Sequence, residues 1–389
     1  MEPFPLRDGA VHCEDVALAT IAARVGTPVF VYSSGAMRHQ ARTLRAALAP
    51  LGDPLVAFAV KANPNAAVLA TLAAEGLGAD VVSGGEYRRA RAAGVAADRI
   101  VFSGVGKTAE EMRTALEGGL CQFNLESLPE AEMLSQVATA MGRTAPVAFR
   151  VNPDVEAGGH AKITTGAAHN KFGIPIGDAP AACARVRDLP GLELKGLAVH
   201  IGSQITSLAP LEAAFGKVGA MIAQLRSEGH EISTADLGGG LGLRYDPSMP
   251  PPPTPQDYGA MVVRATRGWD VRLIFEPGRL IVGDAGVLLT EVIRVKAGPK
   301  YPFVILDAAM NDLMRPSLYD AYHGIDPVVP RGERMVADVV GPVCETGDTF
   351  AVARPLAAEV LVNGSDWAVI RARKDVDDLM RDETVPDWL

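Results

Sequence analysis

An eightfold alternation of strand-like and helix-like segments is the feature that most constrains the fold of this chain. From about residue 55, short runs of β-branched and aromatic residues alternate with Ala-, Leu-, Glu- and Arg-rich segments at helical spacing. An open doubly wound sheet usually has fewer strands and a glycine fingerprint on its first turn, so eight units favour a (β/α)8 TIM-like barrel. The predicted strands are Leu55–Val60, Gly78–Ser83, Arg99–Gly104, Cys121–Ser127, Val147–Asn152, Gly196–Gly202, Thr234–Gly240 and Arg272–Gly278.

The pattern changes after Gly283, where helical spacing becomes sparse. A chain of 389 residues is too long for one ordinary core, so a large and a smaller domain are expected. We predict a barrel domain over 27–280, and a mostly-β domain, a β-barrel or sandwich, built from 1–26 and 281–389. The strands predicted for the second domain are Val287–Val295, Phe303–Leu306, Met335–Val340, Glu359–Val362 and Ala368–Ala372.

Composition and charge argue against several classes of protein. The net charge of -9 disfavours nucleic acid as a partner. No apolar stretch is long enough to span a bilayer, and the first residues lack the basic and apolar regions of a secretory signal. The four cysteines are scattered, without metal-ligand spacing or a disulfide framework. These features predict a cytoplasmic protein without a bound metal.

Unusual polar residues fall at the carboxyl ends of the predicted barrel strands, where barrel enzymes place their chemistry. Singly, each has an ordinary explanation, since a lysine such as Lys61 is usually a solvated loop charge and a histidine such as His200 a hydrogen-bonded core residue. Their coincidence at one rim instead predicts an active site. The set comprises Lys61 after VAFAV, Asp80 in GADVVS, Arg150 after VAF, His200 after GLAV, Gly238–Gly240 after TADL, and Glu276 and Arg279 after RLIF.

These residue types suit pyridoxal phosphate (PLP) and the decarboxylation of an amino acid. Loss of CO2 leaves a carbanion, which the cofactor stabilises when a lysine holds its aldehyde and an acid keeps its ring nitrogen protonated. Lys61 suits the Schiff base and Glu276 the ring nitrogen, while His200 could stack on the ring face. Arg279, which closely follows Glu276, is expected to favour the ionised carboxylate.

A phosphate cradle is predicted from the glycines that close the seventh strand. Gly238–Gly240 would present backbone N–H groups to a phosphate, and side chains there would hold the phosphate away. Ser203 could add a hydroxyl donor.

Six motifs together resemble the diaminopimelate decarboxylase family: VAFAVKANPN, HNKFGIP, HIGSQI, DLGGGLGLRY, EPGRLIVGDAG and GPVCETGD. That family belongs to the alanine-racemase-like, barrel-type PLP enzymes, which also include ornithine decarboxylase. The resemblance covers nearly the whole chain and implies PLP as the cofactor. The residues it implies for cofactor binding are Lys61, Asp80, Arg150, His200, Ser203, Gly239, Gly240, Glu276, Gly278 and Arg279.

The resemblance also implies the substrate site and the assembly. Arg279, Arg315 and Tyr319 would grip the non-reacting end of the substrate. Cys344 and Glu345 would reach into the partner subunit's site in a homodimer, although by themselves they fit a buried small hydrophobe and a surface charge. The residues implied for catalysis are Lys61, His200, Cys344 and Glu345.

Substrate choice is predicted from charge. Glu345 can meet a distal ammonium group, while Arg279 and Arg315 need a distal carboxylate to pair with. Ornithine lacks that carboxylate and would leave a guanidinium buried without a partner. This favours meso-2,6-diaminopimelate, with L-lysine and CO2 as products in the last step of lysine biosynthesis. The alternative is a decarboxylase of another basic amino acid, ornithine or lysine.

The chain departs from the family pattern after Phe350. The family carries a long insert here, including a Gly-Ala-Tyr-Gly segment whose tyrosine contacts the cofactor phosphate, whereas this chain runs almost directly into Arg354. We expect a stretch to be missing from the sequence between Thr349 and Arg354, marked by a Cα separation far above the usual ~3.8 Å. The alternative is a shortened PLP-binding protein with impaired turnover.

Overall fold

The computed structural model describes residues 2–156, 171–245, 248–298, 301–319, 321–330, 337–345, 348, 358–363 and 365–371. By their contacts, the residues divide into two compact units. The larger comprises Met37–Arg244 and Pro250–Gly283, and the smaller comprises Met1–Ala36, Tyr245–Met249 and Asp284–Leu389. We call them the barrel unit and the β unit.

Strands and helices alternate through the barrel unit, and strands predominate in the β unit. The strands are β1 (Leu6–Arg7), β2 (Ala10–Cys13), β3 (Val16–Ala17), β4 (Val29–Ser33), β5 (Leu55–Ala59), β6 (Gly78–Val81), β7 (Ile100–Phe102), β8 (Gln122–Leu125), β9 (Ala145–Asn152), β10 (Ile174–Pro175), β11 (Leu192–Ala198), β12 (Thr234–Asp236), β13 (Arg272–Phe275), β14 (Gly286–Leu289), β15 (Val292–Lys296), β16 (Phe303–Leu306), β17 (Asp338–Val340), β18 (Ala358–Asn363) and β19 (Asp366–Arg371). The helices are α1 (Leu18–Val25), α2 (Ser34–Leu48), α3 (Ala66–Ala74), α4 (Gly84–Ala92), α5 (Ala109–Gly118), α6 (Leu128–Met141), α7 (Ala179–Arg187), α8 (Ala209–Ser227), α9 (Pro255–Ala265), α10 (Arg279–Val282) and α11 (Arg315–Tyr319). Short 3-10 turns cover Ala49–Leu51, Val60–Ala62, Ala97–Arg99 and Ile176–Asp178.

Eight parallel strands close into a barrel, which confirms the predicted fold class. Neighbours follow the order β5, β6, β7, β8, β9, β11, β12 and β13, and the pairing of β13 with β5 closes the ring. The five residues of β5 are all buried, a continuous apolar run that is typical of parallel strands covered on both faces. All eight predicted strands are present. Most end earlier than predicted, because the polar residues and glycines at their carboxyl ends leave the ladder and form loops.

Side-chain caps begin several of the helices that follow barrel strands. Ser83 caps α4, Thr108 and Glu111 form a capping box in front of α5, and Ser127 caps α6. Because such caps satisfy backbone N–H groups at a helix start, they give the preceding loops defined ends. The loops after β6, β7 and β8 are therefore anchored at the carboxyl rim of the barrel, where the candidate site residues lie.

The β unit contains three sheets among its described residues. Their strand orders are β1–β2–β3, β14–β4–β18–β19 and β15–β16–β17. The predicted strand Val287–Val295 is instead two strands, because β14 pairs with β4 while β15 pairs with β16. The predicted strand Met335–Val340 is seen as β17, and its first two residues lie outside the described ranges.

Val29–Ser33 (β4) lies inside the predicted barrel range 27–280 but pairs with β14 and β18 of the β unit. Its residues alternate between buried and half-buried, which is typical of a strand with one covered face rather than of a barrel strand. So short a run could not be distinguished from a barrel strand by sequence. Across the described ranges, no helix combines the length and the apolar character needed to cross a bilayer.

Candidate active site

Lys61 and Asp80 meet at the carboxyl ends of two neighbouring barrel strands. Lys61 lies in the 3-10 turn that follows β5, and Asp80 lies in β6, paired with Ala59. The Nζ atom of Lys61 donates a 2.9 Å hydrogen bond to Oδ2 of Asp80, whose side chain is completely buried. This contact holds the amine at a fixed place in the mouth of the barrel.

The charges around Lys61 determine its protonation. Burial lowers the pKa of the amine, but the carboxylates of Asp80 and Glu276 outweigh both burial and the guanidinium of Arg150, so the pKa is raised overall. The side chain nevertheless keeps 51% of its surface accessible. The amine is therefore charged and still open to a ligand in the barrel mouth.

Glu276 directly follows β13 and carries its carboxyl group into the barrel interior, where it is 8% exposed. Its Oε1 accepts a hydrogen bond from the Ser103 hydroxyl at 3.1 Å and one from Asn124 Nδ2 at 3.3 Å. Ser103 and Asn124 belong to the ends of β7 and β8, so the barrel closure brings together groups far apart in the chain. Sequence reasoning did not single out either residue.

The charges facing Glu276 are mostly negative. Burial, followed by the carboxyl groups of Asp236 and Asp80, raises the pKa of Glu276 well above its usual value, against the lowering effect of Lys61. In the chain alone, the net effect on Glu276 therefore favours its protonated form, and the expectation that Arg279 favours the ionised carboxylate stays a prediction. Proximity in sequence suggested that pair, whereas the folded barrel also brings the carboxyl groups of Asp236 and Asp80 to act on Glu276.

His200 lies just beyond β11 as a neutral imidazole. The backbone N–H of Gly239 donates to its Nδ1 at 3.2 Å, so the ring proton resides on Nε2. Burial, together with the positive charges of Arg150 and Lys61, lowers the pKa of His200 well below its usual value. The Gly239 N–H, predicted to face a phosphate, is here used to orient this ring.

The glycines after β12 are required by the approach of neighbouring loops. Gly238 has a φ of +64° and Gly240 a φ of +112°, conformations that favour glycine. A Cβ at Gly238 would collide with the Val199 carbonyl oxygen, and one at Gly240 would collide with that of Gly202. Room for a phosphate is therefore not the only reason for glycine at these positions.

The loops after β11 and β12 are joined to each other. The Ile205 N–H donates to the Gly240 carbonyl at 2.9 Å, and the Gln204 side chain bonds both the N–H and the carbonyl of Leu243. Ser203 lies in this joined segment and is half-buried. The motifs HIGSQI and DLGGGLGLRY thus form one structural element at the barrel rim.

Arg150 lies near the end of β9 and is held from two sides. Its Nη1 donates to Oε1 of Glu126 at 3.1 Å, and its guanidinium lies 4.7 Å from the centre of the Phe172 ring. Glu126 also accepts from the backbone N–H of Gly104 at 3.1 Å and from that of Gly173 at 2.6 Å. One carboxylate therefore connects Arg150 to the loops after β7 and β9.

Sequence reasoning missed Glu126, although it closes β8 at the same rim as the other candidates. The missed signal was its place in NLES, immediately before the helix cap Ser127.

Lys107 and Glu130 were missed as well. Lys107 is fully buried and donates to Glu130 at 2.6 Å, while Glu130 accepts from the Glu126 N–H at 2.8 Å. This pair supports the backbone that presents Glu126.

Gly278 and Arg279 continue the chain after Glu276. A Cβ at Gly278 would lie 3.2 Å from the Ala59 Cβ and 3.1 Å from the Ala62 Cβ, on either side of Lys61 in sequence. The EPGR segment therefore packs against the turn that carries Lys61. Arg279 is half-buried and begins α10.

The barrel mouth fits pyridoxal phosphate on the evidence of its own atoms. Asp80 Oδ1 is a buried oxygen for which the described part of the chain provides no hydrogen-bond donor. Such an acceptor fits a donor supplied by a bound group. Lys61 offers an accessible amine, Glu276 a buried carboxyl group and His200 a neutral ring. A small internal cavity lies beside Glu276 and His200, and its lining residues are Ser103, Asn124, Arg150, Ala198, Val199, His200, Asp236 and Glu276.

Arg315 and Tyr319 lie in the β unit, four positions apart on α11, and thus on one helix face. The Arg315 guanidinium lies 4.8 Å from the centre of the Tyr245 ring, and its Nη1 contacts His323 Nε2 at 3.1 Å. The rings of Tyr245 and His323 are 5.6 Å apart. Tyr245 ends the motif DLGGGLGLRY, and His323 lies four residues after Tyr319, but sequence reasoning gave neither a role.

Cys344 and Glu345 are both exposed on the β unit, which excludes the buried-cysteine explanation of Cys344. Asp348 is buried and organises their turn, because it accepts from the Val343 N–H at 2.9 Å while its own N–H donates to the Glu345 carbonyl at 2.8 Å. The junction between Thr349 and Arg354, where a missing stretch was expected, lies outside the described residues.

Comparison with known proteins agrees with this site. Residues 35–283 match the family model described as pyridoxal-dependent decarboxylase, pyridoxal binding domain. The chain is 53% identical to the diaminopimelate decarboxylase of Zymomonas mobilis over 421 residues, covering 100% of both chains. The diaminopimelate decarboxylase of M. jannaschii in complex with L-lysine superposes with a TM-score of 0.94 at 32% identity, covering 100% of this chain and 99% of that one. The diaminopimelate decarboxylase of Helicobacter pylori, also complexed with L-lysine, superposes with a TM-score of 0.89 at 34% identity. The superposition covers 94% of this chain and 98% of that one.

The length of one alignment bears on the expected missing stretch. The alignment with the Zymomonas mobilis protein extends over 421 residues, more than the 389 of this chain. That relative therefore carries residues that have no counterpart here.

Proposed function

The chain belongs to the diaminopimelate decarboxylase family of pyridoxal-dependent decarboxylases, and we infer that it converts meso-2,6-diaminopimelate to L-lysine and CO2, the last step of lysine biosynthesis. The single observation that carries this inference is the charged amine of Lys61, held by Asp80 in the barrel mouth and sharing that mouth with Glu276. PLP, when bound, supplies the electron sink for the carbanion that loss of CO2 creates.

The roles that we propose in the barrel follow from position and charge. Lys61 holds the cofactor's aldehyde, and Asp80 keeps the amine in place and accepts its hydrogen bond. Glu276 faces the ring nitrogen. His200 packs on the ring face as a neutral group, so it brings no second positive charge to the site. Arg150, held in place by Glu126, adds a positive charge to the barrel mouth.

For the phosphate, we propose the joined loops after β11 and β12 together with the EPGR segment. Their close packing supports this assignment, because the glycines let the backbones of these segments approach one another where a side chain would collide. The proposed phosphate-side residues are Ser203, Gly239, Gly240, Gly278 and Arg279.

The proposed substrate site uses Arg315, Tyr319 and Glu345, together with Arg279. Support comes from the guanidinium of Arg315, which Tyr245 and His323 hold in a fixed position suited to pairing with a carboxylate. A distal carboxylate distinguishes meso-diaminopimelate from ornithine and lysine. The L-lysine bound in two structural relatives is the product expected of this reaction.

We propose a homodimer in which the β unit contributes to the interface and to the partner's active site. Cys344 and Glu345 are exposed, as residues acting in a partner subunit would be in a single chain. Strand β15, an edge strand of its sheet as far as the described residues show, also exposes Val292, Ile293 and Val295 by about half. An exposed strand edge with apolar side chains offers a surface on which another chain can pair.

We propose the cytoplasm as the location. The free thiols of Cys13, Cys121 and Cys183, together with that of Cys344, suit a reducing compartment.

The test is a CO2-release assay on the purified chain with added PLP, using meso-diaminopimelate, ornithine and lysine as substrates. We expect turnover of meso-diaminopimelate with a kcat/KM at least ~100-fold above the other two, since each lacks the carboxylate that Arg315 would pair with. Comparable rates on ornithine or lysine would favour a different basic amino acid. Cofactor absorbance without CO2 release would favour a PLP-binding protein with impaired turnover.

A further inference from the structure

Asp236, the last residue of β12, lies beside Glu276 in the barrel interior and is only 1% exposed. The strands β12 and β13 are neighbours, and the Glu276 N–H donates to the Gly238 carbonyl at 2.8 Å. One amide nitrogen, Asn124 Nδ2, donates to Asp236 Oδ2 at 2.8 Å and to Glu276 Oε1 at 3.3 Å, so the two carboxyl groups lie side by side. A hydrogen bond between two such groups requires a proton on one of them.

We propose that Asp236 and Glu276 form a buried carboxyl pair that holds one proton between them, and that Asp236 is a positioning residue that sets the charge which Glu276 presents to the cofactor ring. The proposal rests on the proposed function in one respect, namely that Glu276 faces the ring nitrogen.

The donors that surround the pair are fixed and neutral. Oδ1 of Asp236 accepts from the Gly238 N–H at 2.9 Å, and Oδ2 accepts from Asn124 Nδ2 at 2.8 Å. The same Nδ2 reaches Glu276 Oε1 at 3.3 Å. The Oδ1 of Asn124 accepts from Gln122 Nε2 at 2.9 Å, so its donor side faces the two carboxyl groups.

Charge repulsion favours the shared proton. Two carboxylates in contact inside a protein cannot both ionise without a compensating cation. Burial is the largest cause that raises the pKa of both Asp236 and Glu276. Asp80 adds a further negative charge, while Lys61 provides partial compensation. Arg150 and the neutral His200 line the same cavity.

The proton on the carboxyl pair would keep the charge of the site balanced when the ring nitrogen binds beside Glu276. A protonated ring nitrogen beside Glu276 supplies the missing cation, so both carboxyl groups can then ionise. The pair would give its proton to an unprotonated ring nitrogen, or release it to solvent if the ring nitrogen already carried one. Replacing Asp236 would remove the repulsion that adds to burial in raising the pKa of Glu276, while Lys61 remains as a cation. Glu276 would then be ionised before binding, and binding would take up one more proton from solvent.

The test is calorimetric titration of the cofactor-free, full-length chain with PLP in buffers of different ionisation enthalpy, which counts the protons taken up. Asp236→Asn keeps an oxygen for the Gly238 N–H but removes the charge. We expect it to take up about one more proton per site than the unmodified chain. Asp188→Asn, at the exposed end of α7, should leave the count unchanged. An unchanged count for Asp236→Asn would overturn the proposal.

A second measurement needs no cofactor. Infrared spectroscopy of the cofactor-free chain above neutral pH should show a protonated carboxyl group, and both Asp236→Asn and Glu276→Gln should abolish that signal. Its absence from the unmodified chain would refute the pair even if neither variant folds. Failure of the chain to bind PLP or to release CO2 would count against the proposed function and leave this infrared result standing.

Discussion

Replacing Glu126 by glutamine changes one atom and should disconnect the loops that hold Arg150. In the structure, Oε1 of Glu126 accepts from the Gly104 N–H and from Arg150, while Oε2 accepts from the Gly173 N–H. A glutamine has only one acceptor oxygen. If it keeps both hydrogen bonds at Oε1, its NH2 group must face the Gly173 N–H, donor against donor.

The magnitude follows from the hydrogen bonds that the substitution removes or weakens. Hydrogen bonds to charged groups contribute about 1.5–3 kcal/mol each, and a buried donor left without an acceptor adds to the destabilisation. Glu126 is buried, so water does not replace the missing acceptor. We expect Glu126→Gln to lower the free energy of unfolding by about 2–4 kcal/mol. Because Arg150 loses a charged partner, PLP should also bind roughly tenfold more weakly, which corresponds to about 1.4 kcal/mol.

The assay is urea denaturation at fixed protein and cofactor concentrations, followed by a PLP titration of each variant. Glu132→Gln is the matched control, since Glu132 pairs with Arg185 at 3.2 Å on the exposed face of α6 and α7. That pair should contribute less than about 1 kcal/mol. If Glu126→Gln is as stable as the control and binds PLP equally well, the argument from the three hydrogen bonds is wrong.

Four further predictions test single residues. Lys61→Ala should lose the absorbance of lysine-bound cofactor and nearly all turnover, and a variant that retains both would remove Lys61 from its role. Glu276→Gln should still bind PLP but decarboxylate roughly 100-fold more slowly or worse, whereas normal turnover would show that the ring nitrogen needs no carboxyl group. Mixing inactive Lys61→Ala and Glu345→Ala subunits should restore activity in a fraction of heterodimers, and no recovery after proven subunit exchange would count against a shared site. The pKa of His200 is lowered in the folded chain, so its contribution to stability is present above its unfolded pKa of about 6.5 and is lost as pH falls below it. His200→Gln should therefore lose less stability than the unmodified chain between about pH 7 and pH 5, as measured by urea midpoints.

The fold could be predicted because its signals are local. Each barrel strand is a short apolar run, each helix has its own spacing, and eight repeats of that unit leave few alternatives to a closed barrel. Two segments were predicted incompletely, because their short local patterns do not show which sheet they join. β4 is too short to reveal which sheet it joins, and the run Val287–Val295 hides the point where the chain passes from one sheet to another.

The site could be predicted only as far as strand ends allow. Lys61, Asp80, Arg150, His200 and Glu276 stand at such ends, and the sequence by itself determined that they share one rim, because all strands of a parallel barrel point the same way. It could not determine which of them touch. Distances across a closed barrel depend on register and on side-chain direction, which no sequence spacing encodes.

Tertiary structure alone decided the electrostatics. Sequence proximity suggested Arg279 as the partner of Glu276, whereas closure of the barrel places Asp236 and Asn124 beside it. Glu126 gains its role in the same way, from partners on three different loops. The residue types and their order along the chain were enough to indicate the chemistry. They were not enough to indicate the protonation of each group, because protonation depends on burial and on charges that only the folded barrel brings into contact.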